Sequence, residues 1–435
     1  MSPKIAEQLH QTFRALSVSE YRVYAAGQLG GTLGFWLQTT AVSWLVLQLS
    51  GDSGLALGGT LALQFGPMLM FGLFAGRVAD GFDKRKVLLL SSIGQALIAG
   101  SLATTVLTGH AEIWHVYLAV FASGCIQTIE GPTRQSFFSE LVDKDMLPNA
   151  ISLGSAIFNI SRIFGPTLAG LLIALTSTGA VIAVTAALFL SPALANAVLL
   201  RRELRNQARP TRDNAVLPAL RYLKTRKDIL GVLFMVALIG GFAFNFPVTL
   251  SLLSKTEFGT DADAFGLLLT CLSVGALVGA LYSGRRYTRP SAHDVIWSGL
   301  LLGVGTTATG FAPNLPTAGV LLVPTGFAMV YFAQAANQRI QMGVGGKMRG
   351  RVMAVYMMIF LGSTPICAPI VGIASDIAGG RAGLWLGGVI SVAAGVAGLI
   401  AKAASDKGGK PGGAPLKGQA GIERARRRPV AAENS

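Results

Sequence analysis

Residues 201–228 read RRELRNQARPTRDNAVLPALRYLKTRKD. The block is basic and polar, and it stands between two long tracts of chain that are neither. Residues 23–200 before it hold six apolar runs, and residues 229–403 after it hold six more. About 20 mainly apolar residues are what a helix needs to cross a bilayer, and a helix satisfies its own backbone polar groups where there is no water. The twelve runs have approximate limits 23–49, 53–76, 87–109, 113–137, 149–175, 179–200, 229–252, 263–283, 292–312, 316–338, 351–375 and 381–403. The expected fold is an all-α polytopic membrane protein, two pseudo-symmetric six-helix bundles joined by 201–228. Within that linker, Leu217–Leu223 has the pattern of a short amphipathic helix resting on headgroups.

The 36 Lys and Arg residues fall almost entirely into every second gap between runs; the exceptions include Lys255, Arg381 and, inside a run, Arg162. A Lys/Arg excess marks the cytoplasmic loops of inner-membrane proteins. Both termini and the linker are therefore expected inside a bacterial plasma membrane. The formal charge of +15 is read as this topology plus attraction to anionic headgroups, not as a nucleic-acid surface. Composition agrees, with 51% apolar and 13% charged residues and a mean hydropathy of +0.55.

Outside the bundles lie a segment over residues 1–22 and a tail over 404–435. Ile5, Leu9, Phe13 and Leu16 recur at helical spacing, which suits an interfacial helix. The first span is preceded by too long and polar a segment for a cleavable signal. The tail is rich in Gly, Pro and charge and is expected to be disordered. Cys125, Cys271 and Cys367 sit in mid-run on different helices and read as packing residues, and the four histidines make no metal-ligand spacing. No cofactor or metal is expected. Abundant glycine, 54 residues, is what close helix packing in lipid favours.

The halves repeat. A shift of 204 residues lays Thr133–Leu153 over Asn337–Met357 without a gap, and Gly76–Lys86 over Ala280–Pro290, both of the latter being basic loops after an even-numbered run. Duplicated six-helix halves with a site between them describe one large class of secondary transporters.

At these residues the chain resembles the major facilitator superfamily. The loop Gly76-x-x-x-Asp80-x-x-x-Lys84-Arg85-Lys86 matches that superfamily's loop motif, with Gly81 and Asp83 departing from it. GRVADGFDKRKVLLL, EGPTRQSFFSELV, LPNAISLGSAIFNISRIFGPTLAG and GRVMAVYMMIFLG resemble the branch that contains the enterobactin exporter and related drug-efflux and secretion-effector proteins. The resemblance spans residues 13–403. It implies a gating role for Gly76, Asp80, Lys84, Arg85 and Lys86: Asp80 would latch the halves together when the cavity faces outward. A carboxylate near a helix N-terminus gains about 0.3–1 kcal/mol. The alternative is a loop that merely obeys the positive-inside rule.

Charges inside the runs are the sharper sign. Glu130 and Arg134 stand four apart and share a helix face. Arg162 lies deep in the fifth run, where a lone Arg costs about 2.5–3.5 kcal/mol, so it must face a partner or a watery cavity. Glu130 and Asp80 are its candidate partners, and Glu130, Arg134 and Arg162 form the expected intramembrane charge network. A structural salt bridge and a proton-linked switch both fit these residue types. Gly165, Pro166 and Gly170 resemble the end of the Gly-Pro helix motif of proton-coupled exporters and form a candidate hinge; shaping of packing alone is the other reading.

Polar stripes on apolar helices mark the candidate cavity. Gln28, Thr32 and Thr39 share a face of the first run beside Phe35 and Trp36, and Ser152, Ser155, Asn159 and Arg162 share a face of the fifth. Asn245 lies in the seventh run, and Tyr331, Gln334 and Asn337 follow one face of the tenth. A weakly polar, aromatic-rich lining suits a bulky amphipathic solute better than an ion or a sugar. No Gly-x-x-x-x-Gly-Lys-[Ser/Thr] occurs, so a gradient and not ATP is the expected driver. The expected partners are a small-molecule substrate, protons and the lipid bilayer, with the chain as a monomer. A proton-coupled exporter of amphipathic small molecules (drug or siderophore efflux) is the leading reading. A nutrient importer on the same fold stays open, and a membrane-embedded enzyme lacks any catalytic constellation.

Overall fold

The computed structural model describes residues 14–143, 145–202, 216–286 and 288–407, and within these the side chains of 73–80, 216–220, 346–347 and 405–407 fall outside the description. After a single 3-10 turn, Arg14–Ser17, the first half consists of α1 Ser19–Ser50, α2 Gly54–Gly81, α3 Lys84–Leu107, α4 Ile113–Leu141, α5 Leu147–Leu175 and α6 Thr178–Leu200. The short α7, Val216–Thr225, precedes the second half. There α8 Lys227–Ala243 and α9 Phe246–Leu252 run on into a π-turn at Leu253–Glu257, followed by α10 Ala262–Gly284, α11 Ala292–Gly310, α12 Leu315–Gly343, α13 Gly346–Gly362, α14 Thr364–Ala378 and α15 Ala382–Lys407.

Nine segments among the described residues are long and apolar enough to cross a membrane: α2 over Gly54–Gly72, α3, α5, α6, α8 through the π-turn, α10, α12, the α13–α14 pair from Met348, and α15 over Ala382–Ala404. The other three expected spans, α1, α4 and α11, are less apolar. They carry residues such as Gln38 and Ser43, Gln127 and Glu130, and His293 and Asp294. They nonetheless pack inside the same bundle, α1 on α5 and α6, α4 on α2 and α3, and α11 on α12 and α15.

Helix starts follow local chemistry. Ser53, Asp83, Ser177 and Asn314 each accept a backbone N–H at the head of the next helix. Ser291 and Asp294 form a reciprocal capping box on α11. Gly51, at φ 64°, ends α1 in the left-handed region that a side chain would strain. Two expected continuous spans prove to be broken. The seventh stops at Ala243 and restarts at Phe246 with Pro247 in its first turn, and the eleventh breaks at Ser363 just before Pro365. Proline has no N–H to give and sits comfortably only at a helix start. The Asn245 amide helps to fill the first break by donating to the Gly241 carbonyl.

The same pairings recur in each half. α1 packs on α6 as α8 packs on α15, α2 on α4 as α10 on α12, and α3 on α6 as α11 on α15. Glycine makes the close approaches possible. A Cβ on Gly27 would come within 2.6 Å of the Ala195 Cβ across α1 and α6, and one on Gly275 would collide with the Val323 carbonyl. α7 is a helix, as its pattern predicts, but its Leu223 is 3% exposed and α7 packs on α13 instead of only resting on headgroups. Arg226 at its end donates to the Tyr222 hydroxyl at 2.9 Å and to the Gly343 carbonyl at 3.2 Å. Of the N-terminal amphipathic stretch only Leu16 is described, in the 3-10 turn; Ile5, Leu9 and Phe13, and the tail from 408, lie outside the described residues.

Candidate functional site

Two seams join the halves. In one, α2 meets α14: a Cβ on Gly58 would strike the Ala368 carbonyl, and Gly54 and Gly372 meet backbone to backbone. In the other, α5 meets α10: a Cβ on Gly170 would strike the Ala262 carbonyl, and one on Gly266 the Pro166 carbonyl. The repeat that relates α2 to α10 relates α5 to α14, so each seam is the counterpart of the other. Both run from mid-helix to the end that bears residues 51–53, 176–177, 258–261 and 379–381, the basic-poor end of the sequence pattern.

Polar bonds reinforce that end. The Asp376 carboxylate accepts from the backbone N–H groups of Gly54 and Leu55, and from Ser53 Oγ at 3.2 Å. The Lys255 ammonium pairs with Asp52 and lies 5.5 Å over the Trp44 ring, which in turn stacks on Phe265 at 6.4 Å. Thr270 donates to the Ile163 carbonyl at 2.8 Å and contacts the Thr167 hydroxyl. The two basic residues that break the alternation therefore have structural work. Lys255 bridges the halves, and Arg381 pairs with Glu257 at 2.9 Å while donating to the Gly310 and Ala312 carbonyls at the end of α11.

The face of α5 that meets α10 at Ile163, Pro166, Thr167 and Gly170 continues toward the basic end as Ser152, Ser155 and Asn159. There no partner covers it, and Ser152 and Ser155 are exposed. This polar stripe is left uncovered toward the basic end. A different face of α5, with Ile160, Phe164, Leu171 and Leu175, is exposed and wholly apolar, as a lipid-facing surface must be.

At mid-depth, Trp36 sits edge-on to Phe35 and to Phe158, with centroids 5.4 and 5.6 Å away, and packs against Gly165, where a Cβ would come within 2.5 Å of its own Cβ. The Arg162 guanidinium lies 5.9 Å from the Trp36 ring centre. Toward the closed end a small, partly open cavity of ≈ 30 Å³, with room for an ordered water, is lined by Phe35, Gln38 and Thr39 of α1, Thr60 and Gln64 of α2, Ser123 and Gln127 of α4, and Val248 of α9. A larger groove of ≈ 750 Å³ between α11 and α15 is lined by Val, Ala, Ile, Thr and Phe, and neither helix takes part in the seams. Its lining suits acyl chains.

The expected charge network forms only in part. Glu130 pairs with Arg134 at 3.6 Å, as the spacing implied. Arg162 makes no ion pair with Glu130 or any other described carboxylate; the Trp36 ring is its partner. The expected gating cluster also divides. Gly76 and Asp80 have their side chains outside the described residues. Lys84 is buried and paired with Glu140 of α4, since a buried ammonium needs a counter-charge. Arg85 pairs with Asp83 at 2.8 Å and donates to the Leu199 and Arg202 carbonyls at 3.3 and 2.9 Å, closing the C-terminus of α6, and Lys86 is exposed. The Asp83 carboxyl is held below the usual range by the hydrogen bond from Arg85.

At the candidate hinge, α5 runs unbroken through Pro166, and Gly165 and Gly170 are contact points with α1 and α10. Of the expected cavity residues, Phe35 and Thr39 line the small cavity, Thr32 is buried and Gln28 half-buried. Asn245 is buried in the break between α8 and α9. Tyr331 stacks on Phe327 and lies under Arg286, 5.2 Å from the ring centre, while Gln334 and Asn337 are half-buried. Gln38, Gln64 and Gln127 went unremarked in the sequence, although each is a polar residue in an apolar run and the stripe argument could have found them. Asp376 carried no comparable signal, because nothing local reveals that a carboxylate at one helix end meets another helix.

The profile of a family described as "Transmembrane secretion effector" matches residues 10–407. The chain is similar to the multidrug efflux pump Tap of Mycolicibacterium fortuitum, 30% identical over 365 residues that cover 80% of this chain and 87% of that one. It is also similar to the staphyloferrin A transporter of Staphylococcus aureus, 23% identical over 349 residues, 78% of this chain and 87% of the other. Among solved structures, a bacterial homologue of the human lysosomal transporter Spinster, inward-facing and occupied, superposes with a TM-score of 0.70 at 13% identity, covering 88% of this chain and 96% of that one.

Proposed function

The chain belongs to the transmembrane secretion effector family of major facilitator transporters, and on that premise we propose that it is a proton-coupled exporter of amphipathic small molecules. The observation that carries this reading is the one-ended closure: two glycine-lined seams shut the basic-poor end while the polar stripe of α5 lies open at the basic end. With the basic end cytoplasmic, this is the inward-facing state of an alternating-access cycle. A solute enters from the cytoplasm or the inner leaflet and leaves when the seams part. In this reading all twelve segments cross the membrane, residues 23–200 and 229–403 move as two bodies, and the chain works as a monomer.

The mid-depth lining of Phe35, Trp36 and Phe158, with glutamines beyond it, supports a bulky solute that is partly aromatic. The similar drug pump and siderophore transporter point the same way at low identity. One proton crossing about 150 mV releases roughly 3.5 kcal/mol, which sustains a solute gradient of several hundredfold. Glu130 is the candidate carboxylate to respond to that proton, and Asp80 the candidate latch for the outward-facing state. The test is accumulation of a panel of dyes, antibiotics and siderophores in cells with and without the protein. Lower accumulation with the protein supports export; equal accumulation of every compound, or higher accumulation with it, overturns the reading.

A further inference from the structure

We propose that the mid-depth site at Arg162 and Trp36 takes a carboxylate, so that the transported solute is an organic acid with an aromatic or apolar body. The inference rests on the reading of the cavity as a solute site. Arg162 is a full positive charge near the middle of α5 with no ion pair among the described residues. Four described carboxylates have other partners: Glu130 pairs with Arg134, Glu140 with Lys84, Asp52 with Lys255, and Asp376 caps α2 at the closed end. A charge at that depth is costly without a partner, and the Trp36 face supplies only part of what an anion would.

A second group points to the same ligand. The Trp36 indole N–H is buried without any acceptor, on the ring over which the guanidinium lies. Two donors without an acceptor among the described residues, the guanidinium and the indole N–H, therefore lie at the same ring. Arg162 shares its face with Ser155 and Asn159, the stripe left open to the basic end, so an anion has a polar path to it. The guanidinium fork matches a planar carboxylate with two parallel hydrogen bonds. One cation also balances one negative charge, whereas a phosphate dianion would remain half-neutralised. The rings of Phe35, Trp36 and Phe158 then receive the body of the acid.

The test uses 7-(diethylamino)coumarin-3-carboxylate and its primary amide, which differ in charge and share the fluorescent body. Binding is read by fluorescence anisotropy with the full-length protein in nanodiscs. The carboxylate should bind wild type at least tenfold more tightly than the amide. Arg162→Gln should abolish that preference while leaving amide affinity within twofold, which also shows that the variant is folded. Arg162→Lys should keep part of the preference, and Trp36→Phe should weaken the acid severalfold more than the amide. Equal affinities in wild type, failure of both probes to bind, or a preference that survives Arg162→Gln would each overturn the proposal. The outcome is separable from the exporter reading: a protein that shows the preference and yet exports nothing in cells keeps its carboxylate site and loses the export assignment.

Discussion

The Asp376 carboxylate accepts a hydrogen bond from the Leu55 backbone N–H at 2.9 Å, so a side chain of the second half caps the first turn of a helix in the first. Free N–H groups at a helix start attract negative charge, and here the attraction holds the closed end shut. The α5–α10 seam has no such carboxylate; a pair of threonines, Thr167 and Thr270, meets there instead. The latch is therefore one-sided, and breaking it should act on one seam.

Asp376→Asn should loosen that end without unfolding the protein. A charge at a helix terminus is worth about 0.3–1 kcal/mol, which corresponds to about a two- to fivefold change in the open fraction. In a background whose three native cysteines are replaced, labelling of Thr39→Cys by an impermeant maleimide from the basic-poor side should rise by that factor. Unchanged labelling would reduce the contact to a local helix cap.

Lys84 and Glu140 should behave as an obligatory pair. Their side chains are only 8% and 11% exposed, and removing one partner of a buried pair costs about 3–5 kcal/mol. Lys84→Ala and Glu140→Ala should each lower the melting temperature in detergent sharply. Lys84→Met with Glu140→Leu should recover most of the loss. If the double variant is as unstable as the sum of the singles, the two residues act separately.

Orientation can be read from two engineered cysteines. Ser177→Cys should label only from outside the cell and Lys224→Cys only from within, because the Lys/Arg-rich gaps belong in the cytoplasm. The opposite pattern would invert the direction assigned to the cavity.

Glu130→Gln should flatten the pH dependence of transport while leaving solute binding within a fewfold of wild type, if protonation of this carboxylate drives the cycle. Asp83 serves as the control. Its folded-state value is depressed by the Arg85 hydrogen bond, so what it adds to stability is present above the ordinary carboxylate range and lost only as pH falls through the lowered value. Between about pH 5 and 8 it stays ionised, and Asp83→Asn should not change the shape of the profile there. A Glu130→Gln protein with a wild-type pH profile would move the proton site elsewhere.

Much of the fold was legible in hydropathy. The runs 149–175 and 179–200 match α5 and α6 to within two residues at either end, and the amphipathic 217–223 stretch is a helix, because burial in lipid and helical periodicity are written residue by residue. The breaks at Phe244–Asn245 and at Ser363 do not follow from hydropathy, since prolines such as Pro247 and Pro365 are also tolerated as kinks inside a span. Site residues were legible as types but not as pairs. Glu130 with Arg134 was found because both lie on one helix. Lys84 with Glu140, Arg162 with Trp36 and Asp376 with Leu55 depend on which helices touch and in what register, which hydropathy does not encode.

The seams have a consequence for how this chain can vary. Gly54, Gly58, Gly266 and Gly372 meet the opposite half backbone to backbone, and glycine is already the smallest residue. Every substitution at these four positions adds volume, so mutation there can only wedge the closed end apart and can never tighten it. Gly266→Val, for example, drives a branched side chain against the Pro166 carbonyl. Drift at these sites would then push the cycle in one direction, toward whichever state has the seams open, and any strengthening of the closed state has to come from somewhere else, with the Asp376 cap as the nearest place to add it.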